Sequence, residues 1–296
     1  MSLAPRVVLV HRRSEYDELV GRHGSHGQAA FFLSSRGRDI TEVVSRHEAQ
    51  AEAVRVVSAA IPVSWRRGEV EREDLSRFLF APEDVVVVVG QDGLVPNVAK
   101  YLAGQPVIGI DPEPGRNPGV LVRHPAADAG SLLLAVVAGE LPQAALTMVV
   151  AEADDGQHLV ALNEIFVGHA SHQTARYTVT VPGGASERQA SSGLVIGTAT
   201  GATGWCSSIW RERHSTLALP SPVEPALAWF TREAWVSPVT GDTLTEGRLG
   251  AEPLLVTVES NRLVAFGDGI EDDHLTLGWG QQLRIGLADR ALHLVV

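Results

Sequence analysis

Five consecutive valines at positions 85–89 run directly into Gly90-Gln91-Asp92-Gly93. A segment apolar at every position has no solvent face, so the run predicts a strand buried on both sides, the central strand of a parallel sheet. In open α/β sheets ligands bind beyond the carboxyl ends of such strands. The two glycines let the chain turn sharply there and leave amide N–H groups for phosphate oxygens. Asp92, between them, offers a carboxylate that binds a metal or takes a proton from a hydroxyl. Taken alone, the segment is also a strand closed by a plain Asp-Gly turn.

The flanking pattern extends the sheet. Residues 7–10 form a short apolar strand, and 107–110 another. Residues 41–60 place Val43, Val44, Ala51, Val54 and Val57 at helical spacing, with Thr41 as the cap. A helix over 96–103 links the strands at 85–89 and 107–110, an order that implies a parallel pair with a right-handed crossover. Residues 12–38 receive no assignment, and 66–72 read as a charged surface stretch. Residues 111–125, with Pro112, Pro114, Pro118 and Pro125, form an irregular loop out of the first domain. A bridging helix follows at 131–139. Beyond it lie short segments at 146–153, 158–167, 176–181, 194–197, 253–258, 262–266, 282–287 and 291–296, each bounded by turn residues, which predict strands. The expected organisation is an α/β domain with a Rossmann-like parallel sheet over 1–125 and a β-rich domain over 126–296.

The formal charge of −11 disfavours nucleic acid or an anionic membrane as partner, since both need a concentrated basic face. No apolar run has the length of a membrane span. A single cysteine, Cys206, forms no internal disulfide and suits a reducing compartment. The apolar residues 7–10 are too few for a secretory core, and Glu15, Asp17 and Glu18 follow Arg12-Arg13 where an import signal avoids acids. The expected location is the cytoplasm.

Three further constellations stand out. Asn163-Glu164 interrupts a β pattern, and an amide beside a carboxylate reads the donors and acceptors of a nucleobase or ribose; a bulge or edge strand with solvated side chains is the plainer alternative. Residues 191–205 lead a strand into a loop crowded with glycine and threonine, ending at Trp205. Such a loop offers N–H groups and hydroxyls to phosphate and the indole as a stacking plate. It lacks the lysine of a P-loop and also reads as a Gly-rich bend. Gly267-Asp268-Gly269 reads as a hairpin turn. His169 and His172 have no companion ligands in sequence and read as surface residues.

In order along the chain, Gly90-Gln91-Asp92-Gly93-Leu94, Asn163-Glu164, the 198–203 loop and Asp268-Gly269 resemble the motifs of the ATP-NAD kinase family. The mitochondrial-type branch is the most similar, at residues 106–111, 161–168 and 191–194 and at Trp205. The resemblance spans residues 83–296. It implies an NAD-kinase-like fold with the site in the cleft between the domains. It also implies transfer of the ATP γ-phosphoryl group to the adenosine-ribose 2′-hydroxyl of NAD, with Mg²⁺, in a homo-oligomer. By the same resemblance Asp92 orients or deprotonates that hydroxyl. Gly90, Gly93, Thr200, Gly201 and Thr203 serve the phosphates or the nucleotide path, and Asn163, Glu164 and Asp268 serve NAD. Phosphoryl transfer needs positioning and charge neutralisation more than covalent chemistry.

The resemblance departs at three places. Gln91 stands where the family has glycine, so a side chain there fills space or forces a φ that glycine tolerates. Leu94 replaces a threonine, and Asp111 an asparagine. A carboxylate 4 Å from a phosphate charge costs about 4 kcal/mol at an effective dielectric of 20 unless a cation intervenes; Arg116 and Arg123 are the nearby candidates. These departures leave open a relative that binds a nucleotide without catalysis, or a kinase for another nucleotide or polyol hydroxyl. A lipid kinase on a related fold shares the Gly/Asp turn, but Asn163-Glu164 points toward a dinucleotide.

Overall fold

The computed structural model describes residues 4–116 and 119–296. Pro118 of the proline-rich loop lies outside the described residues. The chain divides into two compact units, residues 1–144 with 293–296, and residues 145–292.

In the first unit β1 (Arg6–His11), β2 (Arg66–Glu71), β3 (Asp84–Val89) and β4 (Pro106–Asp111) form a parallel sheet in the order β2-β1-β3-β4. All six residues of β3 are buried, as an uninterrupted valine run requires of a strand covered on both faces. The stretch expected to be charged surface is β2, an edge strand. Its exposed residues, Arg67 and Glu69, alternate with buried or half-buried positions, and charges of this kind protect an edge from pairing with another chain.

Residues 12–38 fold as α1 (Glu15–His23) and α2 (His26–Ser34). Ser14 starts α1 by a reciprocal capping box with Asp17, and Gly24 ends it at φ 84°. The long helix α3 (Ile40–Ala60) is capped by Asp39, whose carboxylate accepts the Thr41 N–H at 2.9 Å, and not by Thr41. The helix after β3 is short, α4 (Leu94–Ala99). A two-residue strand, β5 (His124–Pro125), pairs with the end of β4, and α5 (Ala129–Val137) packs against α3, β3 and β4. The α5 contacts carry the first unit to residue 144, past the expected boundary at 125.

The second unit is built from β6 (Gln143–Ala153), β7 (His158–Ala161), β8 (Glu164–Gly168), β9 (Ala175–Thr180), β10 (Ser186–Ser191), β11 (Gly193–Gly197), α6 (Trp205–Glu212), β12 (Leu227–Arg232), β13 (Glu246–Leu249), β14 (Leu254–Val258), β15 (Leu263–Gly267), β16 (His274–Leu277) and β17 (Gln282–Val295). One antiparallel sheet has the order β13-β12-β11-β8-β15-β16, and β10-β9-β14-β17 form a second antiparallel set. Their facing aliphatic residues, with Tyr177 and Trp229, make one core. The two segments expected at 282–287 and 291–296 are the single strand β17, whose last residues, from His293, belong to the first unit and pair with β4. The segment expected at 158–167 is two strands: β7 pairs with β6 and β8 with β11 and β15, so the chain changes partners at Leu162-Asn163.

Candidate functional site

The turn after β3 is the focus of the first unit. Gly90 has φ 156°, and a Cβ there would meet Leu94 Cδ2 at 3.2 Å. Its N–H is spent on Ile110 O at 3.2 Å, extending the β3–β4 pairing. The amides of Gln91, Asp92 and Gly93 have no protein acceptor among the described residues. Gln91 is exposed and keeps negative φ, so this backbone does not require glycine. Leu94 is 2% exposed and fills the space under Gly90, a packing task that a threonine hydroxyl would serve poorly.

Asp92 does not extend freely from the turn. One carboxylate oxygen accepts Val120 N–H at 2.8 Å, and the other accepts Leu121 and Val122 N–H, each at 2.9 Å. Three of about four acceptor sites are taken. Two glycines let the loop lie so close. A Cβ on Gly119 would sit 2.4 Å from Asp92 Oδ1, and one on Gly109 would sit 2.1 Å from Leu121 O. Arg123 N–H to Gly109 O, 3.1 Å, completes the attachment.

Beside this turn lies a cavity of about 340 Å³, walled also by Asp111, Pro112 and Glu113. One Asp111 oxygen accepts Glu113 N–H at 2.9 Å. Glu113 pairs with Arg116 at 3.1 Å, and Arg116 also pairs with Glu42, while Arg123 Nε donates to Val120 O. Neither arginine is therefore spent on Asp111. Among the described residues no cluster of three or more His, Cys, Asp or Glu side chains is assembled. A Mg²⁺ arriving on a triphosphate needs only one or two carboxylates. Asp111, whose second oxygen accepts no hydrogen bond among the described residues, fits that need; Asp92, occupied by backbone, does not.

The second unit gathers Asn163, Glu164, Thr200, Gly201, Thr203 and Asp268. The partner change between β7 and β8 leaves four backbone groups without ladder bonds, and two residues, Asp268 and Thr198, take them up. Asp268, at φ 54°, accepts Leu162 N–H at 2.9 Å and Asn163 N–H at 2.7 Å, while its own N–H donates to Glu164 O at 3.1 Å. Thr198 donates its hydroxyl to Leu162 O at 2.6 Å and its N–H to Asn163 O at 2.9 Å. The same hydroxyl oxygen accepts from Thr200 N–H and Gly201 N–H. Gly201 is required by contact: a Cβ would lie 2.1 Å from Asn163 O. Thr203 donates its hydroxyl to Thr200 O at 2.8 Å.

The backbone is thus fastened at four points while the side chains it carries stay open. Among the described residues the Asn163 amide and the Glu164 carboxyl, both half-buried, form no hydrogen bond or ion pair. Burial, with the Asp268 charge second, pushes Glu164 up to about 7. Cys206 is buried beside it and is pushed up to about 12 by burial, so its thiol is inert.

Trp205 stacks on Phe166 with ring centroids 5.7 Å apart and an interplanar angle of 16°. The Arg232 guanidinium lies 5.3 Å from the indole centroid. These residues, with Arg262, His169, His172 and His274, line a cavity of about 660 Å³ in the second unit. Gly119, Arg232 and Arg262 belong to no motif; Thr198 opens the 198–203 loop, but its bonds to Leu162 and Asn163 are not visible along the sequence.

No family model matches the chain, and no curated protein matches its sequence. Among solved structures, yeast NADH kinase complexed with NADH is similar to it at a TM-score of 0.62 and 13% identity, over 100% of this chain and 84% of that one. The fold is NAD-kinase-like. It has a sheet with parallel strands and a separate antiparallel sheet.

Proposed function

We propose that the protein is a phosphotransferase of NAD kinase type, moving the γ-phosphoryl group of ATP to the adenosine-ribose 2′-hydroxyl of NAD. The observation that carries this reading is the fastened Leu162-Asn163 backbone, which holds the Asn163 amide and the Glu164 carboxyl unpaired and ready for an outside donor and acceptor. A half-buried polar pair that makes no hydrogen bond among the described residues is poorly solvated, and binding a nucleoside would supply the missing partners. The fold likeness supports the same reading. In the first unit the open amides of Gln91, Asp92 and Gly93 face the needs of a triphosphate, with Gly90 setting the turn. Asp92 holds the 120–122 loop in place beside them. Asp111 would hold Mg²⁺, which when bound neutralises phosphate charge. In the second unit Asn163 and Glu164 take the nucleoside, Asp268 orients them, and Thr200, Gly201 and Thr203 line the nucleotide path. The mitochondrial-type branch, a cytoplasmic location and assembly as a homo-oligomer belong to the same proposal.

The test is incubation with ATP, Mg²⁺ and a panel of hydroxyl acceptors including NAD, with products read by mass spectrometry. NADP is the expected product; a phosphorylated polyol, or none, would overturn the reading. In calorimetric titration Asn163→Ala is expected to weaken NAD binding about tenfold, or ~1.4 kcal/mol. Equal affinities would remove Asn163 from the site.

A further inference from the structure

Three carboxylates stand among the candidate residues, Asp92 in the first unit and Glu164 and Asp268 in the second, and their hydrogen bonding sorts them. Asp92 accepts three backbone N–H groups and Asp268 accepts two. Glu164 accepts none among the described residues, although it is half-buried at a crowded position. A Cβ on Gly201 would come within 3.1 Å of Glu164 Oε2, and one on Gly197, in β11, would lie 3.6 Å from Glu164 Cβ. The charge that acts on it is Asp268, from the turn after β15, while Glu164 in turn raises the Cys206 thiol of α6. No arginine, lysine or histidine pairs with it among the described residues. A carboxylate desolvated without a cation or an N–H donor is the strongest base its neighbourhood allows.

We infer that Glu164 is the proton acceptor of the phosphoryl transfer. The acceptor hydroxyl gives its proton to the Glu164 carboxylate as its oxygen bonds to the terminal phosphorus of ATP. The bond from that phosphorus to the bridging oxygen breaks, and ADP leaves with the electron pair. The carboxylic acid then returns the proton to water. The resemblance gives this task to Asp92, but Asp92 is committed to the backbone of the 120–122 loop. The inference rests on the phosphotransferase reading. It also fits the raised value of about 7 for Glu164, since a general base works best when it titrates near the working pH.

The experiment is steady-state kinetics with ATP, Mg²⁺ and NAD across pH 5.5 to 8.5, for the parent, Glu164→Gln, Glu164→Asp and Asp92→Asn. The parent's kcat is expected to fall with decreasing pH below about 7. Glu164→Gln is expected to lower kcat by about 10²–10⁴-fold and flatten that limb, with any rise in KM for NAD much smaller than the fall in kcat. Glu164→Asp restores the limb at reduced rate, and Asp92→Asn keeps it. A Glu164→Gln enzyme with the limb intact and a rate within about threefold of the parent would overturn the inference alone. So would a rise in KM with kcat unchanged, which leaves Glu164 a nucleoside contact and nothing more. A parent that phosphorylates no acceptor in the panel overturns the phosphotransferase reading and this inference together.

Discussion

Asp92 and Glu164 are the same functional group held in opposite ways. Asp92 stands at the end of the most buried strand of the first unit, where a motif reading places the chemistry, and its oxygens are filled by three amides of a loop that arrives 28 to 30 residues later. Glu164 stands at a point where two strands of the second unit part, and the bonds that secure its segment come from Asp268 and Thr198, none of them to its carboxyl. A carboxylate supplied with N–H donors stabilises a fold, because each donor would otherwise be orphaned. One buried without donors destabilises the fold and is kept reactive by the same burial. On the proposed reading the two positions separate scaffold from chemistry.

The sharpest way to break that distinction is to remove the Asp92 carboxylate. Asp92→Ala leaves the Val120, Leu121 and Val122 amides without their acceptor, two of them half-buried or deeper. The expected loss is about 4 kcal/mol, taking charge-assisted bonds at about 1.5–3 kcal/mol each and allowing water to reach Val120. Urea unfolding measures it, and hydrogen exchange at the Leu121 and Val122 amides localises it. A loss below about 1 kcal/mol with unchanged exchange would mean that Asp92 is not structural, and would return it to the chemistry.

The second test uses the sign of the Glu164 linkage. Burial raises this carboxyl from 4.5 to about 7. The folded protein therefore keeps a proton that the unfolded chain releases over that range. The associated stability is complete below about 4.5 and is lost as the pH rises through about 7. The whole effect is no more than about 3 kcal/mol, and is reduced by the solvent that still reaches the group. Glu164→Gln removes it. Urea midpoints of parent and variant between pH 4.5 and pH 8 are expected to converge at the acid end and to favour the variant at the alkaline end. Parallel curves would show that Glu164 is not desolvated.

Much of this arrangement is legible along the chain, and the rest is hidden for identifiable reasons. The valine run predicts β3 because no other element is apolar at every position for so few residues. The order of four short motifs brings Asn163, Glu164, Gly201 and Asp268 to one place although Asp268 lies 105 residues beyond Asn163. The strand β2 escapes because an edge strand carries Arg66, Arg67, Glu69 and Glu71, which read as surface. The strand β12 escapes because Leu227–Arg232 is a short apolar run that fits a buried helix turn as well as a strand. Ile40–Ala60 takes its cap from Asp39 because Asp and Thr, two residues apart, both suit the position. What remains out of reach is the distribution of donors. A motif shows that a carboxylate is present, not which backbone amides a distant loop will bring to it.

The smallest expected effect concerns Gln91, the departure that most invites a functional explanation. If its side chain obstructed a phosphate or strained the turn, Gln91→Gly would speed transfer and stabilise the protein. The backbone argues otherwise: Gln91 is exposed and has negative φ, while the left-handed positions nearby fall on Gly90 and Gly115. Glycine at 91 would relieve nothing in the folded state and would widen the unfolded ensemble, a loss of about 0.5–1 kcal/mol. Leu94→Thr, by contrast, would leave a gap beneath Gly90 and bury a hydroxyl there. The pair of changes that restores the family motif is therefore expected to cost stability, mostly through Leu94, with kcat/KM for NAD phosphorylation by Gln91→Gly within about twofold of the parent. A tenfold gain from Gln91→Gly alone would place the phosphate against that residue and make the first unit's turn, rather than Glu164, the element that limits the rate.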